Sequence, residues 1–365
     1  MRLTGLKLLP IRLHLKHPFV SAHETLSERL VTLVAVRDEN GNWGYGELEA
    51  FTTLFYTNET QAIEQMVLRQ YLWSVVRNQE FTTPPDLYAH LQVLKGHHFA
   101  KAALDMAVWD LYAKQQQLPL AAVLAKQVHA QWQDHVAVGI SLGLQDDEPL
   151  LAAAQKAQEQ GYQRIKLKVK GNADLQRIGR LRQRTSIKSL TVDANQSLQW
   201  TKDLAATIDR LQLTFIEDPV PQPSAKWAQQ MHTPICLDEP ITSVDQAKYA
   251  WRLQLGQIIS VKQAVIGGLT PALELIMAHR QLGFDIWCGG MLEGGIGRAA
   301  NLALASLTDF AYPGDLSATE RYYQKDYTTP LHVTQGLMPV SHDAGVGVDL
   351  LPMYQELLDQ QKTIC

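Results

Sequence analysis

Seven short apolar runs, each pair separated by helical sequence, restrict the folds open to this chain more than any other feature. They are Val136–Leu142 (VAVGISL), Arg164–Lys170 (RIKLKVK), Leu190–Asp193 (LTVD), Phe215–Glu217 (FIE), Ile235–Asp238 (ICLD), Ile258–Lys262 (IISVK) and Phe284–Cys288 (FDIWC). Helical stretches such as Glu148–Gly161, Leu175–Thr185 and Lys202–Gln212 intervene. This rhythm is that of βα units and predicts a parallel β/α barrel. A doubly wound open sheet is the competing architecture, but no GxGxxG follows its first strand. RIKLKVK is the most telling run, because Ile165, Leu167 and Val169 alternate with lysines. Lys166 and Lys168 therefore share one face. If that face lines the barrel, two ammonium groups enter an enclosed space, where they need carboxylates opposite them.

The carboxylates are present downstream. Lys168, Asp193, Glu217, Asp238 and Lys262 follow one another at intervals of 25, 24, 21 and 24 residues. That is close to one βα repeat each, so all five are expected at the C-terminal rim, where such barrels carry their chemistry. Singly, each has an ordinary structural role, as a helix cap, a rim ion pair or a snorkelling lysine. The ordered series of five is what points to a site. Three carboxylates brought together repel one another unless a cation sits among them. An all-oxygen donor set without His or Cys favours a hard ion, Mg²⁺ or Mn²⁺. Such an ion beside a bound carboxylate stabilises the second negative charge formed when the adjacent carbon loses its proton. A lysine placed among cations is expected to have a lowered pKa and to serve as the base. The reaction class is proton abstraction α to the carboxylate of a small molecule.

The flanks read differently. Residues 1–50 suggest an antiparallel sheet: a first strand in MRLTGLKLLPIRLHLKHPF, then Leu30–Arg37, a turn at 38–42 and Trp43–Leu48. Residues 60–128 turn helical, as in Phe99–Leu111. Residues 308–365 lose the rhythm and are expected to return to the N-terminal unit. The expected division is an α+β capping domain of 1–128 with roughly 320–365, and a barrel of 129–319. With 46% hydrophobic and 19% charged residues, the 365-residue chain can bury a sizeable core. A net charge of −4 and no basic block argue against a nucleic-acid partner. No run of about 18 apolar residues is present to span a membrane, and the N-terminus alternates like a strand, unlike a signal peptide. Cys236, Cys288 and Cys365 are widely spaced and odd in number, which suits reduced thiols and a cytoplasmic location. A homo-oligomer is the expected assembly.

Longer motifs add a resemblance. The Lys166-x-Lys168 pair, VDAN (192–195), IEDP (216–219), LDEP (237–240) and VKQAVIGGLT (261–270) resemble the enolase superfamily. CGGMLEGGIGRAANLALASL (288–307) followed by PGDLSA (313–318) is similar to its o-succinylbenzoate synthase and N-succinylamino acid racemase group. The similarity runs from about Phe99 to Tyr323, with weaker support at Phe19–Glu24 and Phe55–Thr57. It implies a modified TIM-like (β/α)7β barrel under an α+β cap. It also implies that Asp193, Glu217 and Asp238 bind the metal and that Lys168 removes the α-proton. Lys168 would then return that proton to a leaving hydroxyl on the same face. Lys262 would face the opposite side, as a cation in dehydration or a second acid/base in racemisation, and Lys166 would neutralise the enolate oxygen and tune Lys168. Ser141, Asn195, Gly289, Gly290 and Met291 correspond to pocket positions, and the loops Phe19–Thr25 and Phe51–Tyr56 to a lid. The implied reaction is syn-dehydration of 2-succinyl-6-hydroxy-2,4-cyclohexadiene-1-carboxylate in menaquinone biosynthesis, with N-acylamino acid racemisation as the alternative. Two departures stand out. Many dual-activity members read K-P-G-R-V-G-G where this chain has Lys262-Gln263-Ala264-Val265-Ile266-Gly267-Gly268, so Val265 replaces an arginine, which favours dehydration. Pro240 stands where relatives commonly have serine.

Overall fold

The computed structural model describes residues 1–20 and 24–365. β1 (Leu3–Val20), β2 (Thr25–Asp38) and β3 (Trp43–Leu48) form an antiparallel sheet in that order. Asp38 builds the β2–β3 turn: its carboxylate accepts the N–H groups of Asn40 and Asn42 at 2.9 and 2.8 Å. The apolar side of the sheet is covered by the helix His98–Gln115. Gly44 and Gly46 permit the close approach. A Cβ at either would stand 2.2 Å from the helix carbonyls of Ala107 and Ala103 respectively.

The same helix is tied to the barrel. Asp105 accepts the N–H and the hydroxyl of Thr270 at 2.8 and 2.7 Å, and Trp109 Nε1 donates to the Thr270 hydroxyl at 2.9 Å. The chain end returns to the first strand: Leu6 and Ile364 exchange backbone hydrogen bonds, and Lys7 Nζ donates to the Leu358 carbonyl.

The run Val136–Leu142 is two strands, not one. β4 (His135–Ala137) pairs antiparallel with Leu337–Pro339, and only β5 (Gly139–Leu142) enters the barrel. Both halves are apolar, and an apolar run does not state which partner will cover it. β6 (Arg164–Lys168), β7 (Leu190–Asp193), β8 (Phe215–Glu217), β9 (Ile235–Leu237), β10 (Ile258–Val261) and β11 (Asp285–Cys288) follow β5 in one parallel curled sheet, in chain order.

The gap between β11 and β5 is filled by residues 312–314. Tyr312 bridges Trp287 and Gly314 bridges Val138, both in parallel sense. Gly139 N–H donates to the Gly314 carbonyl at 2.7 Å, and Asp315 N–H to the Cys288 carbonyl at 3.1 Å. The barrel therefore closes through residues 312–314 although the strand–helix rhythm is lost after 308. Tyr-Pro-Gly has no apolar alternation, so its role as the last stave is fixed by its neighbours.

Inside the barrel, Arg164, Lys166 and Lys168 of β6 point the same way in three layers. Phe215, Cys236, Ile258 and Trp287 fill the lower end, with the Arg164 guanidinium 4.4 Å from the Trp287 ring centre. Lys166 lies 5.0 Å from the same ring. Lys168 reaches the top. Among the described residues no helix is long and apolar enough to cross a membrane.

Candidate active site

Parallel register brings the charged residues together. Lys168 and Asp193 are cross-strand partners, as are Asp193 and Glu217. Asp238 and Lys262 are the first residues beyond β9 and β10. Asp193, Glu217 and Asp238 are all buried.

Each ammonium group is matched by carboxylate. Lys166 Nζ lies 2.6 Å from Asp315, 2.9 Å from Glu217 and 3.4 Å from Asp193. Lys168 donates at 2.8 Å to Asp193 and at 2.8 Å to Asn195 Oδ1. Lys262 donates to Asp238 at 2.5 Å and to the Tyr56 hydroxyl at 2.7 Å.

The surrounding side chains set the direction of two lysine pKa shifts. Burial alone would lower the pKa of Lys166, but Asp315, Glu217 and Asp193 outweigh it and hold the group well above its ordinary value. Burial is likewise outweighed at Lys262, chiefly by Asp238, and that pKa too is raised. Among the chain's own side chains, the carboxylates facing Lys166 and Lys262 outnumber the cations around them.

The carboxylates themselves are unequal. Burial opposes ionisation of Asp193, yet Lys168 and Lys166 hold its pKa well below the usual range. Glu217 is pushed well above it by burial and by Asp193, despite Lys166. Its Oε1 is buried without a hydrogen-bond partner among the described residues. Among the described residues no three acidic, imidazole or thiol side chains already converge on a metal-sized position, because the lysines draw the oxygens to themselves. The donor set nevertheless suits a hard cation: three buried carboxylates, oxygen donors only, with one oxygen unsatisfied.

Lys166, Lys168, Asp193, Asp238 and Lys262 line one open cavity of about 780 Å³, its solvent-filled mouth included. Ser141, Asn195, Gly290 and Met291 also line it. The buried Ser141 hydroxyl has no hydrogen-bond partner among the described residues. Asn195 is a crosspiece: it takes Lys168, donates its N–H to Asp193 at 3.0 Å, and donates Nδ2 to Glu239 at 2.9 Å. Gly289 serves differently, as a Cβ there would meet the Lys262 stem at 2.8 Å. Phe19, Phe51, Phe55 and Tyr56 reach the cavity from the capping side. Residues 21–23 of the expected Phe19–Thr25 lid lie outside the described residues.

Sequence reasoning missed Asp315, Arg164 and Tyr56 as members of this centre. Arg164 continues the inward alternation of Lys166 and Lys168 one step back, and Asp315 lies within PGDLSA, so both signals were present. Arg164 Nη2 donates to Asp315 at 2.7 Å, and Asp315 joins it to Lys166. Burial by itself would raise the Asp315 carboxyl, but Lys166 and Arg164 hold it down to about 2 against an ordinary 3.8. A carboxyl depressed in the folded state adds stability above its unfolded pKa and loses it as pH falls through the folded one. Asp315→Asn is therefore expected to cost about 2 kcal/mol near neutrality, from ~1.4 kcal/mol per pKa unit. Urea titrations should find that difference narrowing as pH falls from the unfolded value toward the folded one. A difference independent of pH would assign the loss to packing.

Val265 is buried among the apolar side chains of the capping side, with Ala264 and Met291 in the same cluster. Pro240 is exposed, and nothing in the structure explains it.

Fold and site together define a barrel enzyme that handles acid–base chemistry beneath an α+β cap. Residues 4–125 match the mandelate racemase / muconate lactonizing enzyme N-terminal domain, and residues 150–354 match the enolase C-terminal domain-like family. The chain belongs to the enolase superfamily. It is 37% identical to an o-succinylbenzoate synthase of Enterococcus faecalis, over 96% of both chains. It is 35% identical to an N-succinylamino acid racemase of an Amycolatopsis species, over 100% of this chain and 98% of the other. An enolase superfamily structure from Listeria innocua superposes with a TM-score of 0.91 at 33% identity, covering 100% of this chain and 98% of that one.

Proposed function

We propose that this enzyme is an o-succinylbenzoate synthase, catalysing syn-dehydration of 2-succinyl-6-hydroxy-2,4-cyclohexadiene-1-carboxylate through an enediolate. The observation that carries the reading is the placement of Lys168 and Lys262. They stand on β6 and just beyond β10, with the three carboxylate-bearing strands between them, and both line one cavity. Relatives named for this activity match at 34–37% identity over more than nine-tenths of the chain.

Asp193, Glu217 and Asp238 would hold a divalent cation of the Mg²⁺ or Mn²⁺ class, which supplies positive charge to the substrate carboxylate as its α-carbon is deprotonated. The remaining work belongs to the chain. Lys168, held by Asn195, takes the α-proton and returns it to the departing hydroxyl on the same face. Lys262 presents a cation to the opposite face and stabilises the enediolate. Lys166, kept charged by Asp315 and Glu217, neutralises the enolate oxygen. Phe51 and Phe55 keep water from the reacting face.

N-succinyl or N-acylamino acid racemisation is the second reading, favoured by the same pair of opposed lysines and by the racemase relative. The apolar site of Val265 places the emphasis on dehydration. The wider reading is a cytoplasmic homo-oligomer in menaquinone biosynthesis, divided into a cap of 1–128 with roughly 320–365 and a barrel of 129–319.

The test is direct conversion of the cyclohexadiene acid with and without a chelator. Product should form only with metal present and return when Mg²⁺ is restored. Rapid racemisation of N-succinyl amino acids with no dehydration would replace the first reading by the second.

A further inference from the structure

Behind Lys262 lies a pair of side chains that the reaction does not use. Glu49, just past β3, and Gln263, just past Lys262, are both almost completely buried. Gln263 Nε2 donates to Glu49 Oε1 at 2.7 Å. The other two heteroatoms, Glu49 Oε2 and Gln263 Oε1, are buried with no hydrogen-bond partner among the described residues. An ionised carboxylate and an amide oxygen are both acceptors, so neither can relieve the other. One proton on Glu49 satisfies both at once.

We propose that Glu49 is a neutral carboxylic acid paired with Gln263 in a two-hydrogen-bond ring, and that this ring is a positioning device for Lys262. The first bond is Gln263 Nε2–H to Glu49 Oε1, and the second is Glu49 Oε2–H to Gln263 Oε1. No guanidinium claims the carboxylate instead. Arg29 spends its terminal nitrogens on the carbonyls of Leu30, Glu49, Ala50 and Met291. Arg298 meets Glu293 and the Asp315 carbonyl. Burial, then Glu293 and Glu47, push the Glu49 pKa well up, and Arg29 and Arg298 oppose this without cancelling it.

The ring has a functional location. Glu49 leads directly into Ala50 and Phe51, the start of the loop carrying Phe55 and Tyr56 over the cavity. Gln263 is bonded to Lys262 along the chain. The two segments meet again where Lys262 donates to the Tyr56 hydroxyl. The ring thus fixes the separation between the capping loop and the Lys262 stave, and with it the aim of the Lys262 ammonium group. Gln263 also falls in the KQAV departure from K-P-G-R, so the partner of Glu49 belongs to this chain's own version of the motif.

The protonation does not depend on the proposed reaction, whereas its effect on Lys262 does, and the two are measured separately. Infrared difference spectra between the wild-type chain and Glu49→Gln at neutral pH should show loss of one protonated-carboxyl stretch. Glu49→Gln restores both ring bonds as an amide–amide pair, so turnover should fall less than about threefold. Glu49→Leu and Gln263→Leu cannot form the ring and should lose roughly tenfold. With an N-succinyl amino acid as probe in deuterated water, both leucine variants should lose α-proton exchange at the Lys262 face, with exchange at the Lys168 face little changed. Absence of the protonated-carboxyl band, or a Glu49→Gln chain as impaired as Glu49→Leu, overturns the proposal. A band present with no selective loss at the Lys262 face keeps the neutral acid and overturns the positioning role.

Discussion

Lys168→Ala is expected to lower kcat by on the order of 10²–10⁴ while leaving the fold intact, the range for removal of a general acid–base group. The substitution removes the ammonium that donates to Asp193 and Asn195 at 2.8 Å each. It leaves Lys166 beside Asp193, Glu217 and Asp315, so the buried negative charge keeps a counter-ion. Thermal unfolding of the variant should therefore stay cooperative. The loss belongs to kcat and not to KM, because the group acts on the transferred proton and not on the bound carboxylate. In dehydration the same residue also protonates the leaving hydroxyl, so neither partial reaction should survive. A variant that keeps more than about one tenth of the wild-type rate would remove Lys168 from its role.

Lys262→Gln should separate the two candidate reactions. Racemisation needs a proton donor on the face opposite Lys168, and among the described residues no other ammonium lines the cavity on that side. Exchange of the α-proton of an N-succinyl amino acid at that face should disappear. In the proposed dehydration Lys262 is a fixed charge, and loss of one such stabilising contact is expected to cost about 10²–10³ in kcat. Residual dehydration should remain measurable, still dependent on Lys168 and still abolished by a chelator. Equal and complete loss of both activities would mean that Lys262 transfers a proton in both. The Tyr56 contact at 2.7 Å adds a control, since Tyr56→Phe removes the hydroxyl while keeping the ring that lies 5.0 Å from the ammonium.

Much of the barrel was legible because its strands are buried on both faces. Such strands become short apolar runs, and a charged residue at the end of five of them stands out. Five such residues at one-repeat spacing were enough to place Lys168, Asp193, Glu217, Asp238 and Lys262 on a common rim. The register pairs Lys168 with Asp193, and Asp193 with Glu217, which turns that spacing into side-by-side contact. The capping sheet was legible from its period-2 alternation and its Asp-Glu-Asn-Gly-Asn turn.

What alternation and spacing determined, then, was the identity of the staves and the charges at their ends, since both follow from chain-local rules of pleat and repeat. The tertiary structure alone decided who neutralises whom. Asp315 meets Lys166 across 149 residues of chain, a contact that exists only because residues 312–314 close the barrel between β11 and β5. Glu49 meets Gln263, and Tyr56 meets Lys262, only because the cap is seated on the rim. Asp315 beside Lys166 and Asp238 beside Lys262 are the leading causes of the raised lysine pKa values, which depend on the balance of charge within a few ångströms in a low-dielectric space and on nothing written locally in the chain.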